Sequence, residues 1–293
     1  MAELSRTDFT FYNLQTKKKS RGIAPLFPGW QQDENLAVFC PHDDDGLLGA
    51  AYAWLAARTF GADVHVVIMC NGSCGYSRPE EKDTIVQTRL KESTGAYNAV
   101  GIDGRHIVRF NIEDFCLGAY KEWQLPGGGK GVLEGVVRML RERKITRILA
   151  PNDYREHPDH LAASLIASYI GPQAGDNIVA DWGPPSRVRS YLKYSVWAEL
   201  DPREPPNVAV KADWKVEEKV RSAVEKFESQ RLVIRGLFNT RDERRLGRYA
   251  VEVYRIYDPR PKLDLAPFKN TIRKTDRRQR QAGERTRFPS EGV

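Results

Sequence analysis

From residue 36 to residue 170, short apolar runs rich in β-branched residues alternate with segments long enough for a helix, and that alternation leaves few architectures open. The runs 36–41 (LAVFCP) and 64–69 (VHVVIM) read as buried strands, with a helix over 45–58 between them. A second helix over 83–100 ends at Gly101, where a left-handed cap suits glycine. Strands over 105–110 and 145–151 and helices over 131–143 and 161–170 continue the pattern, the last helix stopped by Gly171 and Pro172. Further on, 189–199 reads as a strand and 215–230 as a polar amphipathic helix. Strands joined by helices pair in parallel and need cover on both faces, so the spacing predicts an α/β fold: a Rossmann-like, predominantly parallel sheet with helices on both sides.

A chain of 293 residues with 41% hydrophobic content can bury one substantial core. We expect a main domain over 31–260, an N-terminal extension over 1–30 and a basic tail over 261–293. The net charge is +7, but residues 269–293 hold Lys269, Arg273, Lys274, Arg277, Arg278, Arg280, Arg285 and Arg287 against only Asp276, Glu284 and Glu291. Such a segment has too few apolar residues to offset its ordering entropy and is expected to lack regular structure. With the positive charge concentrated there, a nucleic acid is not the expected partner. No apolar run reaches the roughly 18 residues of a membrane span, and the start lacks a secretory stretch, so the expectation is a cytoplasmic protein without membrane contact. The four cysteines, Cys40, Cys70, Cys74 and Cys116, form no C-x-x-C pair and are expected as reduced packing or loop residues. The glycine-rich stretch 125–130 (LPGGGK) lacks phosphate-loop spacing and reads as a flexible loop.

Two short clusters carry the chemistry. PHDDDG, residues 41–46, falls where the first strand gives way to the first helix, the edge at which open α/β sheets bind ligands. Three consecutive carboxylates repel one another when buried, and a cation relieves them. REHPDH, residues 155–160, holds the same position after the fourth strand and contains two of the five histidines in the chain. Together His42, Asp45 and His160 offer two imidazoles and a carboxylate, the ligand set of a catalytic zinc with an open position. Non-haem iron uses the same set.

These clusters resemble the motifs of the LmbE-like, or PIG-L-type, zinc N-deacetylases, which carry H-P-D-D-E after the first strand and H-P-D-H further on. Here the first reads H-D-D-D-G, with Asp43 for proline and Gly46 for glutamate, and the second is intact as His157 to His160. CNGSCG at 70–75 is similar to the family's glycine loop, Arg89 and Glu92 to its R-x-x-E helix, and Ser229-Gln230 to the end of its late helix. The resemblance spans roughly 36–257 and implies one divalent metal per chain, Zn2+ or another divalent ion, held by His42, Asp45 and His160. It further implies Asp44 as general base, His157 as oxyanion donor, Asp159 as the group that orients His157, and Arg89 as a substrate contact. Arg89 could equally pair with Glu92 one helical turn away.

The implied substrate is an N-acetylated amino sugar or glycoconjugate, such as an N-acetylglucosamine derivative. Trp123, Tyr154, Tyr191, Tyr194 and Trp197 are candidates to stack on it. A metal-dependent phosphohydrolase, or a catalytically weakened homologue that only binds metal or sugar, would use similar residues, and a homo-oligomer is compatible with all three.

Overall fold

The computed structural model describes residues 3–285. The chain opens with β1 (Phe9–Asn13) and β2 (Lys18–Ser20), then enters β3 (Asn35–Cys40), α1 (Asp45–Leu48), α2 (Ala51–Thr59), β4 (Asp63–Cys70) and α3 (Ile85–Ala99). β5 (Ile107–Ile112), α4 (Leu117–Tyr120), α5 (Leu133–Glu142), β6 (Arg147–Pro151), α6 (Pro158–Leu165) and α7 (Gly171–Gln173) follow. β7 (Ser190–Tyr194), β8 (Val208–Asp213), α8 (Trp214–Val224), α9 (Arg231–Asp242), β9 (Arg245–Leu246) and β10 (Tyr249–Tyr257) complete the first compact unit, which ends at Pro259. A second unit begins at Arg260 and contains α10 (Ala266–Arg285).

The fold is α/β. One sheet runs β2-β1-β8-β10-β7-β6-β3-β4-β5, with β9 on β10. The half from β7 to β5 is parallel, as the alternation predicts. Side chains of β3 alternate between two cores: Leu36, Val38 and Cys40 pack with residues of α2, α3 and α8, whereas Ala37 and Phe39 pack with those of α5 and α6. A strand buried on both faces must be apolar at every position, which is why these strands read as continuous runs. The other half is antiparallel and is built from strands that the spacing does not reveal. Phe9 and Phe11 of the expected N-terminal extension are fully buried, and β1 pairs with both β2 and β8.

Several boundaries differ from the expectation for local reasons. The helix expected over 45–58 is two helices, α1 and α2, separated at Gly49, where a Cβ would come within 2.6 Å of the Ser195 carbonyl and the Tyr194 ring. Gly171 and Pro172 do not end the helical segment after α6. A π turn (Ile166–Ile170) leads into α7, and Pro172 sits in the first turn of α7, where a missing N–H costs nothing. Gly101 does close α3 with φ +87°.

The tail, expected without structure, is helical over Ala266–Arg285, a stretch rich in arginine and lysine, both good helix formers. Residues 286–293 of that tail lie outside the described residues. Among the described residues no helix is long and apolar enough to cross a membrane.

Sheet topology fixes where chemistry can occur. From β3 the chain moves outward to β4 and β5, then returns to place β6 on the other side of β3. The crevice at this reversal lies beyond the carboxyl ends of β3 and β6, and the two motif clusters follow those strands.

At the opposite end the same pair of strands is clamped by a buried ion pair. Arg147 donates to Glu34 through Nε (3.1 Å) and Nη2 (2.8 Å), and to the carbonyls of Pro28 (2.8 Å) and Gly29 (2.9 Å). Burial opposes the charge on Glu34, but Arg147, Thr146 and the Gln31 N–H outweigh it and hold the carboxyl at about 2, against an ordinary 4.5. A lowered folded-state pKa stabilises above pH 4.5, and that stabilisation is lost as pH falls through about 2. Glu34→Gln leaves Arg147 buried without its counter-charge. It should lower unfolding stability by about 3–5 kcal/mol at neutral pH. Denaturant melts should also show that the variant has lost the part of the acid sensitivity that lies between these two pH values.

Candidate active site

The turn from β3 into α1 buries Asp43, Asp44 and Asp45 together, each at most 9% exposed. Each meets a different neighbour. Asp43 receives the Arg89 guanidinium from α3, and the same guanidinium stands 3.6 Å from Asp44. Asp45 Oδ2 accepts from the His42 backbone N–H (2.7 Å) and lies 3.4 Å from His42 Nδ1 and 3.2 Å from His160 Nε2. Burial works against its charge, but the two imidazoles hold Asp45 well below the usual carboxylate range. Asp44 is pushed up to about 6, chiefly by burial and further by Asp45 and Asp43, with Arg89 opposing.

His160 is fully buried in α6, and neither ring nitrogen has a hydrogen-bond partner. Its Nδ1 lies 3.4 Å from Glu156 Oε2, in the loop just ahead of α6, and that oxygen also lacks a hydrogen-bond partner. Glu156 Oε1 receives the N–H groups of Val196, Trp197 and Ala198 and the Ser195 hydroxyl, so the carboxylate is fixed by the turn after β7. A proton on Nδ1 facing Glu156 leaves the Nε2 lone pair directed towards Asp45.

One ligand atom from each of His42, Asp45 and His160 lies within 4.8 Å of the others. Separations of 3.2 and 3.4 Å match the roughly 3.4 Å edge of a tetrahedron with metal–ligand bonds of about 2.0–2.1 Å. An orphaned buried imidazole beside a buried carboxylate is what a divalent cation would satisfy, so these residues fit one. His42 also joins His157 and Asp159 in a second such trio, and Cys70 and Asp114 in a third. Burial pushes the Cys70 thiol up.

His157 Nδ1 accepts the Asp159 N–H (3.2 Å). Its pKa is lowered, first by burial and then by the charge of His42, so the ring is neutral with its proton on Nε2. Asp159 accepts from the Phe115 N–H (2.7 Å) and the Leu117 N–H (3.3 Å), which anchors the loop after β5 beside the two histidines.

A cavity of about 420 Å³ opens over these groups. His42, Asp44, Arg89 and His157 face it, and Phe115 and Trp197 form apolar parts of its wall. Of the aromatic candidates only Trp197 reaches this cavity. Tyr191 and Tyr194 are core residues, and Trp123 packs on Trp182.

Of the two alternatives for Arg89, the pairing with Glu92 does not form. Glu92 instead accepts from the Ser229 N–H (2.8 Å) and hydroxyl (2.7 Å), while Gln230 donates to the Gly75 carbonyl (2.6 Å). The glycine loop, the R-x-x-E helix and Ser229-Gln230 are thereby joined around the cavity. Asp114 secures the same loop from below through the Gly72 (2.9 Å) and Cys74 (3.0 Å) N–H groups. Asp43 and Glu156 stand inside the two clusters without a role predicted for either, and Asp114 and Phe115 lie outside them. Glu156 had a signal, its place inside the 155–160 cluster four residues before His160, whereas Asp114, four residues past the strand expected over 105–110, had a weaker one. Phe115 had none.

Residues 37–170 match the family model described as PIG-L: GlcNAc-PI de-N-acetylase. No curated protein matches the chain. Among solved structures, the N,N'-diacetylchitobiose deacetylase from Pyrococcus horikoshii is similar at 19% identity with a TM-score of 0.64, over 77% of this chain and 84% of that one. A deacetylase of the teicoplanin biosynthesis pathway is similar at 18% and 0.55, over 76% and 98%. The 4-carboxy-2-hydroxymuconate hydratase GalB from Pseudomonas putida is similar at 17% and 0.53, over 80% and 100%. At these identities the solved structures establish the fold.

Gly46, the departure from the family motif, has a steric reason. A Cβ there would lie 2.7 Å from Cys40 Sγ and 2.8 Å from the Tyr97 hydroxyl, both in the packed core. Gly46→Ala should therefore destabilise the protein by about 1–3 kcal/mol in thermal or denaturant unfolding. The double variant Cys40→Ala/Gly46→Ala should recover part of the loss.

Proposed function

We propose, from the premise that residues 37–170 are of the PIG-L type, that this chain is a metal-dependent N-deacetylase that removes an acetyl group from an amino sugar or glycoconjugate. The observation that carries the reading is the fully buried His160, neither ring nitrogen of which has a hydrogen-bond partner, converging with His42 and Asp45 beneath a cavity that Asp44 enters. A divalent cation held by these three residues, Zn2+ in the first instance, would polarise an amide carbonyl and make a water molecule acidic enough to attack at neutral pH.

The chain's own residues divide the remaining work. Asp44, at about 6, is ionised at pH 7 yet basic enough to take a proton from the attacking water, and it can pass that proton to the leaving amine. His157, neutral with its proton on Nε2, donates to the oxygen that gains charge as the carbonyl is attacked. Asp159 fixes that tautomer through its backbone N–H and braces His42 with its side chain, 3.4 Å from Nε2. Arg89 pairs with Asp43 and stands 3.6 Å from Asp44, and its edge on the cavity is open to a substrate hydroxyl. Phe115 and Trp197 offer apolar surface for a sugar face.

The names of the similar structures support an acetylated sugar as the first substrate to try: a chitobiose deacetylase and a deacetylase of teicoplanin biosynthesis. The hydratase among them shows that this fold also hosts water addition to a carbon skeleton. Acetate release from a panel of N-acetylglucosamine derivatives, with metal counted in the same sample, tests the proposal. Metal bound without acetate release would overturn the deacetylase reading.

Two substitutions separate the roles. Asp44→Asn should keep its metal and lose about 10²- to 10⁴-fold in turnover, and full activity would remove Asp44 as the base. His160→Ala should lose the metal, and an unchanged metal content would defeat the ligand assignment.

A further inference from the structure

All five histidines of the chain fall into two groups, and only three of them belong to the cavity. The other two, His65 and His106, meet at the opposite end of the sheet. Asp63 opens β4, and His65, two residues later, shares its face. His106 arrives on the turn (Gly104–His106) that precedes β5. One ligand atom from each of Asp63, His65 and His106 lies within 4.8 Å of the others.

Three features distinguish this group from a chance surface cluster. His65 is 2% exposed, its Nδ1 has no hydrogen-bond partner, and its Nε2 stands 3.4 Å from Asp63 Oδ2, long for a hydrogen bond. His106 Nδ1 is held 2.7 Å from Asp103 Oδ1, which turns its Nε2 to Asp63 Oδ1 at 2.8 Å. A carboxylate behind an imidazole is the usual brace of a metal-binding histidine, because it fixes the tautomer and raises the basicity of the free nitrogen.

Arg143 and Arg58 are close enough to act electrostatically on the group, and the carboxylates of Asp63 and Asp103 balance them. Asp63 is half exposed, which leaves room for water to complete the coordination.

We propose that Asp63, His65 and His106 form a second divalent-metal site, separate from the cavity, that takes an imidazole-preferring ion of the Zn2+ or Cu2+ type. Two imidazoles and one carboxylate exclude Ca2+ and Mg2+ as natural occupants, since those ions require mainly oxygen. Such an ion ties the start of β4 to the turn before β5. Asp103 is a positioning residue here, and Asp103→Asn should weaken binding about 10- to 100-fold.

The test uses full-length protein stripped with a chelator and equilibrated with Zn2+, the bound metal being counted by atomic emission. His106→Ala and Asp63→Asn, both at accessible side chains, should each bind one equivalent fewer than the wild type. In the His160→Ala background, which lacks the cavity ligand set, Cu2+ should give an electron paramagnetic resonance signal coupled to two nitrogens that is lost when His106→Ala or Asp63→Asn is added. Unchanged stoichiometry and an unchanged Cu2+ spectrum in the two variants would overturn the proposal. If His106→Ala fails to fold by circular dichroism, Asp63→Asn alone decides. His160→Ala should retain the equivalent that His106→Ala loses, so a failure of the cavity metal leaves this result readable.

Discussion

Three like charges in consecutive positions, buried at a strand end, set the terms for everything around them. Each carboxylate is answered from a different part of the chain: Asp43 by Arg89 on α3, Asp45 by His42 and by His160 on α6, and Asp44 only at a distance by Arg89. Desolvating three adjacent charges without those partners is prohibitive. The turn after β3 can therefore be buried only once α3 and α6 have docked on opposite faces of the sheet. The unequal treatment also separates the roles, because the aspartate with the weakest compensation is the one whose proton affinity rises.

The parallel half of the sheet and both motif clusters were legible in the sequence because strands buried on two faces leave unbroken apolar runs. The antiparallel half was not. β10 carries Glu252 and Arg255 among its apolar residues, and Glu252 is buried in the sheet because Arg244, Arg241 and the Tyr52 N–H meet it there. A charge with a distant tertiary partner looks, in one dimension, like a surface residue. The same reason defeated the Arg89–Glu92 pairing, where neighbours on one helix turn each bind a more distant group. The histidines of the two clusters stood out by their place at strand ends, whereas Phe115 depends on a loop whose path is set by Asp159.

The altered motif reads as a loss of one carboxylate at Gly46 and a gain at Asp43. Packing accounts for the first change, since Cys40 and Tyr97 occupy the space that a side chain at Gly46 would need. Arg89 accounts for the second, since it gives the new carboxylate at Asp43 a buried counter-charge. Core shape and site charge are thus set together over four residues.

The pairing of β1 with β8 has a consequence for handling the protein. β2, at the rim, is three residues long and bears Lys18 and Lys19, a short charged edge of the kind that resists pairing with another chain. β8 lies two strands further in and has no such guard of its own: its Val208, Val210 and Ala212 are buried. Proteolytic nicking or trimming ahead of Leu14 would strip β1 away and turn β8 into an open apolar margin, a template for strand exchange and fibrous association rather than a harmless shortening of the chain.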